Sequence, residues 1–178
     1  MAVPRNRGRA SLKIVAIAAC CLSLLAAMPD TALKADDAPV PAGMVRLPAQ
    51  GSVADAWARL EAAVAARGLT VFARIDFAAD AAAAGLRLRP ARLLVFGNPR
   101  AGTPLLAAAP TTGIDLPLKV LIWEAEDGSV TVGYNSPAWI GARHGVPEEL
   151  RARLQPVEEL AAIAANGIAA RYAADGKG

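Results

Sequence analysis

The sequence predicts an α+β domain, a two-layer sandwich of helices packed on a mainly antiparallel sheet. Three observations carry that expectation. The run "LTVFARIDF" alternates with the period of a half-buried strand. The stretch "LPLKVLIWEAEDGSVTVGY" sets two apolar strands on either side of Asp127-Gly128, a hairpin turn pair. Between and after these strands lie segments with helical spacing, bounded by capping residues, prolines and glycines. Strands separated by helices, then closed by a hairpin, build one helical layer onto one sheet.

In chain order, "MVRLP" from Met44 is a short first strand. Ser52 opens a helix, with Asp55 three residues on as the acid of a capping box. Val53, Ala56, Trp57, Leu60 and Val64 fall on one face, and Gly68 ends the helix where a positive φ is needed. In the alternating strand, Leu69, Val71, Ala73, Ile75 and Phe77 point one way, and Thr70, Phe72, Arg74 and Asp76 the other. "AADAAAAG" is a short alanine helix stopped by Gly85, and "ARLLVFGN" is a buried strand. Gly97 leaves that strand, and either Asn98-Pro99 or Thr103-Pro104 starts the next helix as a cap followed by proline. Pro110 stops it. In the hairpin, Leu118, Val120 and Ile122 share one face, while Val130, Val132 and Tyr134 share another. "SPAWIGARHG" makes a short helical turn, and Pro147 and Pro156 each suit the first position of a further helix. In the last helix Glu158 and Glu159 favour the positive N-terminus, and Leu160, Ile163, Ala164 and Ile168 form the buried stripe.

The N-terminus reads as an address. Arg5, Arg7, Arg9 and Lys13 precede an apolar run from Ile14 to Ala27, which is short for a membrane-spanning helix. Residues 1–35 are therefore expected to be a secretory signal peptide cleaved after Ala35, with Ala27 and Ala32 as alternative sites. Residues 36–43, "DDAPVPAG", form a flexible leader, and 44–178 a single domain with C-terminal helices. A periplasmic or secreted location follows. "IAAC" at Ile17–Cys20 is like a lipobox, which makes a lipoprotein acylated at Cys20 the minor alternative.

Cleavage changes two counts. Both cysteines, Cys20 and Cys21, leave with the signal, and with them disulfides, thiolate metal sites and cysteine nucleophiles. The full chain carries 19 Lys+Arg against 16 Asp+Glu, a formal +3. The signal holds five of those cations and one acid, leaving 14 against 15. The basic balance thus belongs to the signal, and nucleic-acid binding is excluded as a class. No membrane span is expected after cleavage.

From about Ser52 to about His144 the chain resembles the bacterial family called domain of unknown function 302 (DUF302). The resemblance rests on "GLTVFARIDF", "AGLRLRPARLLVFGNPRAGTPLL", "GIDLPLKVLIWEAEDGSVTVGYNSP" and "ARHG", in that order. It implies a compact α+β fold with helices against a sheet, and a homodimer as one expected assembly. It implies no chemistry. Relatives often read Ile-Asp-His where this chain has Ile75-Asp76-Phe77, so any metal or proton-transfer role of that histidine is absent here.

His144 is the only histidine, and a zinc site needs three or four protein ligands. No metal and no cofactor are expected, and His144 reads as a surface residue beside a helix end. Ser129 sits in a hairpin turn and Ser136 before Pro137, where turn chemistry accounts for both. Asp76 on the polar face of its strand, Asp115 before a strand and Glu124 at the end of one are the candidate carboxylates. The turn from Asn98 to Thr103, with Arg100 inside it, offers helix N-terminal amides to a carboxylate or phosphate. The competing reading is that Asn98 and Thr103 cap those amides themselves. The expected function is a non-catalytic binding module for a small ligand or a protein partner. The alternative is a hydrolase-like or other enzyme using carboxylates with His144.

Overall fold

The computed structural model describes residues 39–167. The expected signal peptide, the first residues of the leader and Ile168 lie outside them. Strands β1 (Met44–Ala49), β2 (Thr70–Asp76), β3 (Ala91–Gly97), β4 (Leu118–Glu124) and β5 (Val130–Asn135) form one sheet of order β1-β5-β4-β3-β2. Every neighbouring pair is antiparallel. The helices are α1 (Val53–Ala66), α2 (Phe77–Ala83), α3 (Pro99–Ala108), α4 (Pro137–His144), α5 (Glu148–Arg151) and α6 (Pro156–Asn166). Short 3₁₀ turns cover Pro110–Ile114 and Ala152–Leu154. This is the α+β arrangement of helices on an antiparallel sheet.

The long helix α1 forms as its sequence dictates. The Ser52 hydroxyl accepts from the Asp55 amide at 3.2 Å, and the Asp55 carboxylate accepts from the Ser52 amide at 2.9 Å. Both halves of the capping box are therefore made. Its stripe of Val53, Ala56, Leu60, Ala63 and Val64 is buried against the sheet. α6 lies beside it, burying Val157, Leu160, Ala161, Ala164 and Ala165. Arg59 ties the two helices: its Nε donates to the Ala164 carbonyl at 2.9 Å and one Nη to the Gln50 carbonyl at 2.7 Å. A cation at the carbonyl end of α6 also meets the negative end of that helix.

The structure departs from the sequence reading at several points, each with a physical reason. In the hairpin Ile122 stands opposite Val132, so Val120, Ile122, Val130, Val132 and Tyr134 line a single buried face rather than two. In β2 the register shifts between Val71 and Ala73. The extra residue, Phe72, interrupts the alternation, so Val71 pairs with the buried Phe96 whereas Ala73 pairs with the half-buried Val95. Phe77 is not in the strand; it starts α2, because the Asp76 carboxylate caps that helix by accepting from the Ala79 amide at 3.0 Å. Asn98 is the cap of α3 and Pro99 its first residue, so the first of the two proline options holds. Pro104 sits inside the helix, at the expense of one backbone donor. Trp57 is half-buried, its ring beneath the Arg92 guanidinium at 5.8 Å.

Gly133 shows why one strand position must lack a side chain. A Cβ there would stand 2.8 Å from the Trp123 ring, which lies across the strand. The Arg46 guanidinium sits 5.8 Å from the centre of the same ring.

Candidate functional site

Six of the seven residues singled out from the sequence fall in three places. Asn98 and Thr103 line a cleft; Asp115 and His144 meet at the far side of the 3₁₀ turn; Asp76 and Glu124 line a second hollow. Arg100 is exposed and joins none of them.

The cleft has a volume of about 330 Å³. One wall is the segment "GNPRAGTPLL" itself, contributing Gly97, Asn98, Gly102, Thr103, Leu105 and Leu106. The opposite wall is Leu116, Pro117 and Leu118 at the start of β4, with Phe72 at the β2 bulge and Arg153 at the border. The bulge that the alternating pattern hid is what turns Phe72, half exposed, toward this cleft. Gly102 faces open space, since a Cβ there meets no atom within 4 Å.

The amides of the first turn of α3 are already used. Asn98 Oδ1 accepts from the Arg100 amide at 2.9 Å, and the Asn98 carbonyl accepts from the Ala101 and Gly102 amides, each at 2.9 Å. Pro99 has no N–H to offer. The expected anion-holding amides are therefore occupied by the cap, and the cleft is left mainly apolar.

His144 is not a surface residue. Its side chain is 4% exposed and that of Asp115 is 9% exposed. His144 Nε2 lies 2.7 Å from Asp115 Oδ2, and His144 Nδ1 lies 3.0 Å from Thr111 Oγ1. Arg143 donates to the same carboxylate oxygen at 3.0 Å while its guanidinium rests 4.9 Å from the centre of the Trp139 ring. Gly145, at φ 63°, ends α4 directly after His144, and Ser136 caps the other end by accepting from the Trp139 amide at 3.1 Å. The loop bearing Asp115 is held from below. Lys119 Nζ donates to the Asp115 and Pro117 carbonyls, both at 2.9 Å. Burial pushes the Lys119 ammonium below its ordinary pKa, and the nearby Asp115 partly offsets this.

The second hollow is lined by Ser52, Asp76, Arg92 and Glu124 among others. Its carboxylates are committed. Asp76 caps α2 and accepts from Arg92 Nε at 2.8 Å, and Glu124 lies 3.6 Å from Arg89. The Ala79 amide, and after it Arg92, hold the Asp76 carboxyl below its usual range against the opposing effect of desolvation. Only one of the three candidate carboxylates thus meets His144. Ser129 and Ser136 serve their turn and cap as expected.

Thr111, Arg143, Phe72 and Arg153 were missed by the sequence reading. Thr111 stands in "PTTG", where Pro110 drew attention only as a helix stop. The one signal for it was a pair of hydroxyls beside the turn that carries Asp115. No group of three or more metal-ligating side chains comes together among the described residues.

An antiparallel sheet with helices on one face, an apolar cleft at a strand-to-helix joint and a buried imidazole–carboxylate pair define a small α+β domain of the kind the sequence motifs implied. The family model described as Domain of unknown function DUF302 matches residues 45–162, and the chain belongs to that family. A solved structure, the uncharacterized conserved protein DUF302 from Bacillus stearothermophilus, is similar with a TM-score of 0.58 at 18% identity. That match covers 70% of this chain and 96% of the other, and it bears on fold alone. Among curated proteins, the chain is 40% identical over 107 residues to the fluoride-specific ion channel FluC 1 of Brucella suis biovar 1, covering 60% of this chain and 42% of that one. A fluoride-specific ion channel FluC 2 of Brucella melitensis biotype 1 matches at the same identity and length, covering 40% of it. The chain spans about two-fifths of the length of these curated relatives.

Proposed function

We propose that the protein is an exported binding module whose cleft takes a small, largely apolar ligand. The observation that carries this reading is the cleft itself: Phe72, Leu105, Leu106, Leu116 and Pro117 surround about 330 Å³, and few polar groups enter it. A volume of that size suits one small organic molecule, held by burial and oriented by a few polar contacts. Asn98, Thr103 and Arg153 belong to the lining and would supply those contacts, Asn98 through its side-chain amide nitrogen. An inorganic anion suits the cleft poorly, because the α3 amides that would bind it are spent on the cap. Export rests on the basic, then apolar, N-terminal sequence.

The channel relatives share only part of their length with this chain. A channel needs a path across a membrane, and no helix among the described residues is long and apolar enough to cross one. We read the segment they share with this chain as an accessory module of those proteins, beside the remaining three-fifths of their length.

The test is binding of 1-anilinonaphthalene-8-sulfonate to protein purified from its exported form, with Gly102→Phe as the blocking variant. A phenylalanine at Gly102 fills the cleft without meeting a wall at its Cβ. The expected outcome is saturable binding by the parent chain, weakened at least tenfold in the variant, with both chains folded by circular dichroism. Equal binding by both chains overturns the assignment. Native mass spectrometry of the same sample reads any retained ligand and the expected homodimer together. N-terminal sequencing is expected to begin near Asp36, and an intact Met1 or Ala2 rejects export.

A further inference from the structure

We propose that Thr111, His144 and Asp115 form a hydroxyl–imidazole–carboxylate relay in which Thr111 is acylated by small carboxylic esters. The site is separate from the cleft, whose lining does not include Thr111 or His144. Its geometry sets both imidazole nitrogens against oxygen partners, the carboxylate on one side and the hydroxyl on the other. Asp115 Oδ2 is held by Arg143, so the carboxylate is an acceptor and His144 Nε2 carries the proton between them. In the tautomer with the proton on Nε2, Nδ1 accepts, and the group within reach to donate to it is the Thr111 hydroxyl at 3.0 Å. The exposures are graded in the same sense. Asp115 and His144 are buried, while Thr111 is open to solvent.

A nucleophile beside a base that a third group orients is the arrangement hydroxyl catalysis requires, and it is recognised by roles rather than by sequence order. The chemistry balances without any cofactor. The Thr111 oxygen attacks the ester carbonyl carbon, and its proton passes to His144 Nδ1. The bond from that carbon to the alcohol oxygen then breaks, and the departing alcohol takes the proton from Nδ1. Water attacks the acyl-threonine in turn, giving its proton to Nδ1, and the Thr111 oxygen leaves and recovers it. The net reaction is ester plus water to acid plus alcohol. Asp115 touches no reacting atom; it is a positioning residue that holds the ring with Nδ1 toward the hydroxyl.

The same contacts could serve only to pin the 3₁₀ turn to α4, and labelling separates the two. The folded protein is incubated with p-nitrophenyl acetate near neutral pH, and the acetyl group is located by peptide mass mapping. The expected result is acetyl on Thr111, none at that position in Thr111→Val, and retention in Thr111→Ser. In Asp115→Asn, which is close in shape, the rate falls roughly a hundredfold, the low end of what a positioned base contributes. Acetyl found on lysines alone, or equal rates of Thr111 labelling in the parent and Asp115→Asn, overturns the proposal. Circular dichroism of each variant confirms that a lost label is not a lost fold.

Discussion

His144 Nε2 and Asp115 Oδ2 meet at 2.7 Å although 29 residues separate them in the chain. The contact joins the loop before β4 to the last residue of α4, with both side chains nearly closed off from water. Removing Asp115 leaves a buried imidazole N–H with no acceptor. Asp115→Ala is therefore expected to lower stability by about 1–3 kcal/mol, the range for an orphaned buried donor. Urea unfolding measures it, and a loss under about 0.5 kcal/mol, as at an ordinary surface position, contradicts the burial.

Leu60 is fully buried in the middle of α1. Its truncation to alanine is expected to cost about 2–5 kcal/mol. The measurement is the shift of the urea midpoint at unchanged slope.

At the start of α3 the cap and the cation behave differently. Asn98→Ala removes the acceptor of the Arg100 amide and is expected to cost about 0.5–2 kcal/mol. Arg100→Ala, at an exposed position, stays within about 0.5 kcal/mol. Thermal unfolding of the two variants side by side distinguishes them. An equal effect rejects the structural role of Asn98.

Asp76 gives a pH dependence. Its carboxyl is held below the ordinary value of 3.8, first by the Ala79 amide and then by Arg92. A depressed carboxyl favours the folded state above the unfolded pKa, and that advantage is lost as pH falls through the lower folded value. The stability gap between the parent and Asp76→Asn is thus expected to be full at about pH 6 and to shrink below about pH 4. Chemical unfolding at the two ends of that window measures the gap. A gap that stays constant, or widens on acidification, contradicts the assignment.

Gly102 occupies a helix interior with open space beside it. Gly102→Ala is expected to stabilise the fold by about 0.4–1 kcal/mol, by lowering the entropy of the unfolded chain. A fall in the melting temperature would show that the backbone there needs glycine.

The elements whose signals are local were legible in the sequence. Ser52 with Asp55, the spacing from Val53 to Val64, and Gly68 at φ 61° are one helix written with its own start and stop. Asp127-Gly128 placed the hairpin in the same way, with Gly128 at φ 84°. What depends on a second strand was hidden. A pattern of period two cannot show that Phe72 is an extra residue, because that depends on how Val71 and Ala73 meet Phe96 and Val95. The same holds for His144. Its neighbour Arg143 marks an exposed helix end, and nothing near it in sequence announces Thr111 or Asp115. The apolar character of the cleft was half legible: the turn from Gly97 to Leu106 was visible, but its facing wall comes from Leu116 to Leu118.

The order of strands makes the beginning of the domain wait for its end. β1 lies at the sheet edge and its one neighbour is β5, with Met44 opposite Asn135. Arg59 likewise finds its acceptors on Ala164 and Ala165. During synthesis, β2, β3 and β4 can zip as they emerge, while β1 has no strand to pair with until Val130 to Asn135 has followed. Contacts so distant in sequence slow folding, because the loop must close before the pairing rewards it. A nascent chain of this design can pair three strands early, but its sheet gains the β1 edge only after β5 has been made.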